Sequence, residues 1–274
     1  MTDDVQSSES GFSIPSIRRV RVDAVARWLG MGWRDLRRVP AASLAYGLCF
    51  AVAGWLMALV FADAYALFAA LIMGFMLIGP ALAMGIYDLS RRIELGEEPR
   101  FLDTVAAWRP NLANIGLLAG VLGVLFLLWA RASMVVFVLF FETAGLPTFA
   151  DVVRAIFAFE QPEFAMVYFG VGGLFAALAF VISVIALPMM LDRKVDAVNA
   201  ALTSMAACGR NPLPMLAWAA CIVVLVIGSF ATGFVGLVVV MPWLGHASWH
   251  AYRDLTTPGG EADEDLLRKL GPKA

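Results

Sequence analysis

Apolar runs long enough to cross a bilayer alternate with short polar segments along this chain, and its basic residues keep to every second polar segment. A helix needs about 20 apolar residues to cross the ~30 Å hydrocarbon core. Runs of that kind begin at Ala41, Ala66, Leu112 and Ala165. A last run extends from Met215 to about Trp249, and one helix of that length would be ~50 Å long, too long for a single crossing. Two helices broken near Thr232 to Gly236 fit better. The pattern predicts an all-α polytopic membrane protein with six spans, about 41–61, 66–87, 112–131, 165–191, 215–231 and 235–252. They form three hairpins.

The charges orient these spans. Seven of the twenty Lys and Arg precede the first span, four lie in 88–111, three in 192–214 and four after His250. The two others, Arg131 and Arg154, fall on the opposite side. Lys and Arg near span ends mark the cytoplasmic face, so both termini are expected in the cytoplasm of a bacterial inner membrane. Merging the last two spans would carry the C-terminal basic residues across and worsen the balance.

Composition agrees: 61% of residues are apolar, 15% are charged, and the mean hydropathy is +0.80. That excludes an ordinary soluble domain, and a net charge of −2 gives no field for nucleic acid. Cys49, Cys208 and Cys221 are too scattered for a disulfide framework or a zinc site. No signal peptide opens the chain, so targeting falls to the first span. Residues 1–16 are polar, Ser-rich and expected to be disordered. Over 17–39, Val25, Trp28, Leu29, Trp33, Leu36 and Val39 recur at helical spacing among Arg18, Arg19, Arg21, Arg27, Arg34, Arg37 and Arg38. This reads as an amphipathic helix lying on the anionic cytoplasmic leaflet, with those arginines as its anchors. Residues 40–252 form the transmembrane domain, 142–164 an external segment with a short amphipathic piece, and 253–274 a cytoplasmic tail.

The cytoplasmic segments resemble one another. Each ends in a breaker just before a span: Arg38-Val39-Pro40, Arg109-Pro110-Asn111 and Arg210-Asn211-Pro212. Each following hairpin returns through a helix holding Pro80, Pro188 or Pro242. Three copies of surface helix, outgoing span and returning span account for this. Gly116/Gly120, Ala81/Gly85, Gly170/Gly173 and Gly233/Gly236 have the small-residue spacing of close helix packing, which suits a compact bundle, a homo-oligomer or a membrane protein partner.

Chemistry is sparse. His246 and His250, the only histidines, share one helix face and are the metal candidates, with Asp254 or a carboxylate from another segment as the third ligand such a site would need. An interfacial aromatic belt of Trp243, Trp249 and Tyr252 with polar edges accounts for them more simply. Two rings one turn apart cannot grip opposite faces of a haem. Asp63, Arg131 and Glu142 lie at span boundaries, so an ion path through the bilayer lacks its usual charges. Kinks at Pro80, Pro188 and Pro242 could expose carbonyls to a solute, although such prolines are more often tolerated. Asp88, Glu94, Glu97, Glu98 and Asp103 read as a solvated face. With no nucleotide, nucleophile or zincin motif, the reading leans away from an enzyme and calls for no cofactor.

Three stretches resemble the domain-of-unknown-function 2189 family of bacterial integral membrane proteins. They are Ile17-Arg18-Arg19-Val20, Gly79 to Tyr87 followed by Ser90-Arg91, and the closing Gly245 to Arg253. The likeness spans about residues 17–256 and implies a multi-pass membrane protein. Some members carry a cytochrome c oxidase subunit label, but two histidines cannot supply the axial and copper ligands of such a subunit. The expected role is non-enzymatic packing with lipids or partner proteins. The alternatives are a small-solute permease or channel, and a metal or haem accessory protein using His246 and His250.

Overall fold

The computed structural model describes residues 16–63, 82–140, 162–193 and 195–256, and its regular elements there are helices. They are α1 (Ala24–Arg38), α2 (Pro40–Asp63), α3 (residues 82–94), α4 (Phe101–Thr104), α5 (Leu112–Phe140, after a 3-10 turn at Arg109–Asn111), α6 (Pro162–Ser183), α7 (Ala186–Asp192), α8 (Ala197–Arg210), α9 (Pro212–Ala231) and α10 (Leu237–Leu255). Pro80, Glu142, Arg154, the external amphipathic piece, most of the expected second span, the N-terminal tail to residue 15 and the C-terminal tail from residue 257 lie outside the described residues.

Four helical stretches among the described residues are long and apolar enough to cross a membrane: Pro40–Leu59, Phe101–Phe140, Pro162–Asp192 and Pro212–Ala231. α10 covers the expected last span but carries His246, Ser248, His250, Arg253 and Asp254, and it is not among the four.

Proline sets two of the junctions. α1 ends at Val39 and α2 starts on Pro40; α8 ends at Asn211 and α9 starts on Pro212. A first helical position loses nothing by lacking an N–H. Val39 has φ −127° and ψ 60°, and Asn211 has φ −130° and ψ 54°, so both junctions turn the chain in the same way. Asn211 adds a latch. Its side-chain oxygen accepts from the Val20 N–H at 2.8 Å, and its amide donates to the Arg18 carbonyl at 2.9 Å. Asn111 acts similarly at the start of α5, donating to the Met190 and Val195 carbonyls.

The buried core gathers where α1, α3, α7, α8 and the C-terminal half of α10 meet the first turns of α5 and α9. Trp28, Trp218, Trp249, Tyr252, Met84 and Met189 are all buried there. The apolar stripe of α1 is covered by protein: Trp28 stands edge-on to Trp218, and Trp33 edge-on to Trp243. A β-carbon on Gly32 would come within 2.6 Å of the Ala247 backbone nitrogen, so α1 and α10 pack backbone to backbone. The entry and exit of this region lie side by side. Ile17 pairs with Thr256 in an antiparallel bridge, and the Arg18 N–H donates to the Leu255 carbonyl at 3.0 Å. Elsewhere α5, α6 and α9 present exposed apolar side chains such as Val138, Leu174 and Val224, as helices in lipid do.

The close approaches fall on glycines other than most of those expected. Gly116, Gly120, Gly170 and Gly173 meet nothing within 4 Å among the described residues. Of the expected glycines Gly85 does pack closely, against Tyr46, and the other close contacts between helices include Gly32, Gly47 and Gly245. Pro242 cannot donate to the Val238 carbonyl four residues earlier, and Gly47 of α2 packs its Cα directly against that oxygen. A Cα–H···O contact of this kind partly replaces the missing hydrogen bond. The chain also breaks between α6 and α7, before Pro188, and there the Ile185 N–H is taken by Ser204 Oγ at 3.1 Å.

Candidate functional site

Four helices deliver five polar side chains to one buried cluster. Asp35 comes from α1, Ser43 from α2, Ser90 from α3, and His246 and His250 from α10. Ser43, Ser90 and His246 are 1% exposed or less, and Asp35 is 8% exposed. Their bonds are short. Ser43 Oγ lies 2.8 Å from His246 Nε2, and His246 Nδ1 lies 2.7 Å from Ser90 Oγ. Ser90 Oγ donates to Asp35 Oδ2 at 2.7 Å, and His250 Nε2 reaches the same oxygen at 2.8 Å.

Counting protons orders the chain. A serine hydroxyl has one hydrogen, and that of Ser90 goes to Asp35. His246 Nδ1 must therefore donate to Ser90, which leaves Nε2 of the neutral ring to accept from Ser43. An ionised carboxylate only accepts, so His250 Nε2 donates to Asp35. Burial raises the Asp35 carboxyl, but the hydrogen bond from His250, the attraction to that ring and the bond from Ser90 outweigh it and hold the group below 3.8.

Charged pairs surround the cluster. Asp88, 2% exposed, holds Arg91 and Arg92 at 2.8 Å. Glu94 accepts from the Trp249 indole at 3.1 Å and from Arg253 at 3.2 Å. The solvated acidic face expected from sequence is thus corrected at two positions: Asp88 is buried, and Glu94 ties α3 to α10. Asp103 accepts from the Arg100 backbone N–H at 2.8 Å. Tyr46 bonds Thr104 at 2.9 Å, which fastens α4 to α2.

The two histidines are brought together with Asp35, a residue the sequence reading did not single out. Asp254 is engaged elsewhere, on the Trp28 indole at 3.0 Å, Arg18 and Arg27. No group of three His, Cys, Asp or Glu among the described residues could hold a metal ion. Of the seven arginines, Arg18 and Arg27 pair with Asp254 and Arg21 with Asp23, while Arg37 lies over the Trp33 ring at 5.3 Å. Arg19, Arg34 and Arg38 are exposed.

Ser90 and Asp88 lie in a stretch that matches a family model. Residues 67–192 match the family model DUF2189, predicted integral membrane protein. The DUF2189 match takes in the Gly79 to Tyr87 stretch and Ser90-Arg91, together with α3, α5, α6 and α7. It stops short of the Ile17 to Val20 entry and of the Gly245 to Arg253 closing stretch, so Asp35, Ser43 and both histidines fall outside the DUF2189 region. No curated protein and no solved structure matches the chain. The apolar helices and the DUF2189 match agree on an integral membrane protein.

Proposed function

We propose that this is a six-span protein of the bacterial inner membrane, both termini cytoplasmic, whose role is non-enzymatic packing with lipids or partner proteins. The six-span arrangement draws support from where the excursions of the chain begin and end. α2 leaves the buried end and α3 rejoins it; α5 leaves and α7 rejoins; α9 leaves and α10 rejoins. The Ile17–Thr256 bridge supports this reading, since an entry and exit lying side by side suit an even number of crossings. The similar turns at Val39 and Asn211 favour a repeated unit. In this arrangement the seven arginines of 17–39 lie at the anionic leaflet, with Arg19, Arg34 and Arg38 free to meet lipid phosphates. A reporter fused after Ala274 should read cytoplasmic; a periplasmic reading overturns the topology.

One observation carries the non-enzymatic reading: the polar cluster is closed. Both ring nitrogens of His246 are held by serines, and the ring is fully buried. Within α10, moreover, the carbonyl that Pro242 leaves without a donor is covered by Gly47, so it offers nothing to a solute. A second reading has its own support. An unbroken run of 2.7–2.8 Å bonds from Ser43 to His250 is a geometry through which protons can be relayed, which would suit a proton-linked permease. One experiment separates the two. Proteoliposomes holding an imposed pH gradient should show no proton flux above protein-free vesicles. Flux that Asp35→Asn abolishes would overturn the packing role and establish the relay.

A further inference from the structure

α5 and α6 lie side by side as membrane-crossing helices, yet they leave a groove of about 460 Å³ between them. Its walls include Leu122, Phe126, Trp129, Tyr168, Phe175 and Phe180, and Gly172 and Gly173 leave its floor without side chains. From Tyr168 to Ser183 the groove follows α6 for ~22 Å, a length that suits an extended hydrocarbon chain lying along the helix.

Apolar walls alone would not select an occupant in a bilayer, because bulk lipid is as apolar as the groove. A polar atom makes the difference. The Trp129 indole N–H has no hydrogen-bond acceptor among the described residues. It is part-buried at one end of the groove and comes within 3.2 Å of a β-carbon built on Gly172. An indole N–H is a donor only, and left unpaired in hydrocarbon it is costly. Trp129 sits ~26 Å along α5 from Leu112, close to the far edge of a ~30 Å core. With the near bilayer edge at Leu112, where the sequence starts this span, that is the depth at which the ester carbonyls of the distal leaflet begin. We propose that this groove binds one acyl chain of a bilayer phospholipid, its ester carbonyl accepting from Trp129 and its tail running past Phe126 and Phe175 toward Leu122 and Phe180.

The test uses the full chain in phosphatidylethanolamine–phosphatidylglycerol vesicles doped with a phospholipid bearing a photoreactive diazirine in mid-chain. After irradiation, adducts are mapped by mass spectrometry. Label should concentrate around Phe126 and Phe175, relative to Val124 and Leu128 on another face of α5. Gly173 meets nothing within 4 Å, so Gly173→Leu fills the groove without displacing a neighbour and should abolish the excess. Trp129→Phe keeps the ring and removes the donor, and should lower the excess by about fivefold, the value of one hydrogen bond. Equal labelling of both faces, an excess unaffected by Gly173→Leu, or protein–protein crosslinks from the α5–α6 face in place of lipid adducts would each overturn the proposal. Unchanged elution and melting of the variants confirm that they remain folded.

Discussion

Replacing Asp35 by alanine strips the shared acceptor from Ser90 and His250 at once. Hydrogen bonds to a charged group contribute about 1.5–3 kcal/mol each, and the full penalty applies only where water cannot replace the lost partner. The Ser90 residue is 1% exposed and has no such recourse. The His250 side chain is 18% exposed and recovers part of its bond from solvent. The sum is about 3–4 kcal/mol, or a melting-temperature loss of about 10 °C. Asp35→Asn keeps a carbonyl where the shared oxygen stands and loses only the charge, so its cost should be about 1–2 kcal/mol. Acid supplies an independent check. Because the folded carboxyl lies below 3.8, its contribution is fully present above that value and is lost as pH falls through the folded pKa. The gap between wild type and Asp35→Asn should thus close as the pH falls below about 4. Thermal unfolding of the detergent-solubilised protein, followed by tryptophan fluorescence, measures all three. An Asp35→Ala protein melting within about 1 °C of wild type, or an Asn variant as damaged as the Ala one, would refute the cluster as a load shared through Asp35.

Other residues can be tested in the same way. Gly47→Val drives a side chain into the Val238 carbonyl, and a loss above ~4 kcal/mol should remove the monodisperse peak in size-exclusion chromatography. Gly30→Ala is the contrasting case: that glycine faces open space in α1, so alanine should stabilise by about 0.5–1 kcal/mol in the same melting assay. Asn211→Ala removes the hold on Val20 and Arg18, and limited trypsin digestion should cut at Arg18, Arg19 and Arg21 faster than in wild type. Burial pushes the Cys208 thiol up to about 11. It should stay unlabelled by a hydrophilic maleimide at neutral pH until the protein is denatured, as peptide mass spectrometry would record.

What could be read from sequence was whatever depends on sums along the chain. Apolar run lengths and the Lys/Arg tally need no knowledge of which residue meets which, and the apolar helices followed from them. The polar cluster depends on meetings, and its bonds join residues 203, 156 and 215 positions apart. One signal for it was present. Asp35 falls on the apolar stripe of α1, seven residues after Trp28, at a position where a carboxylate has no reason to be unless something polar faces it. Among neighbouring arginines it was not singled out. Most of the glycine stripes, Gly85 apart, met no neighbour among the described residues for a related reason. Small residues four apart state that a helix can be approached closely, but not that a neighbour arrives. The partner that did arrive, Gly47, was selected by a backbone feature on another helix, the Val238 carbonyl that Pro242 leaves without a donor. Pro242 was visible in the sequence as a candidate kink, whereas nothing there singled out Gly47. Read together, they say that a kink inside a protein interface acts as a socket for a second helix, and that its glycine is to be sought on whichever helix packs against the residue four before the proline.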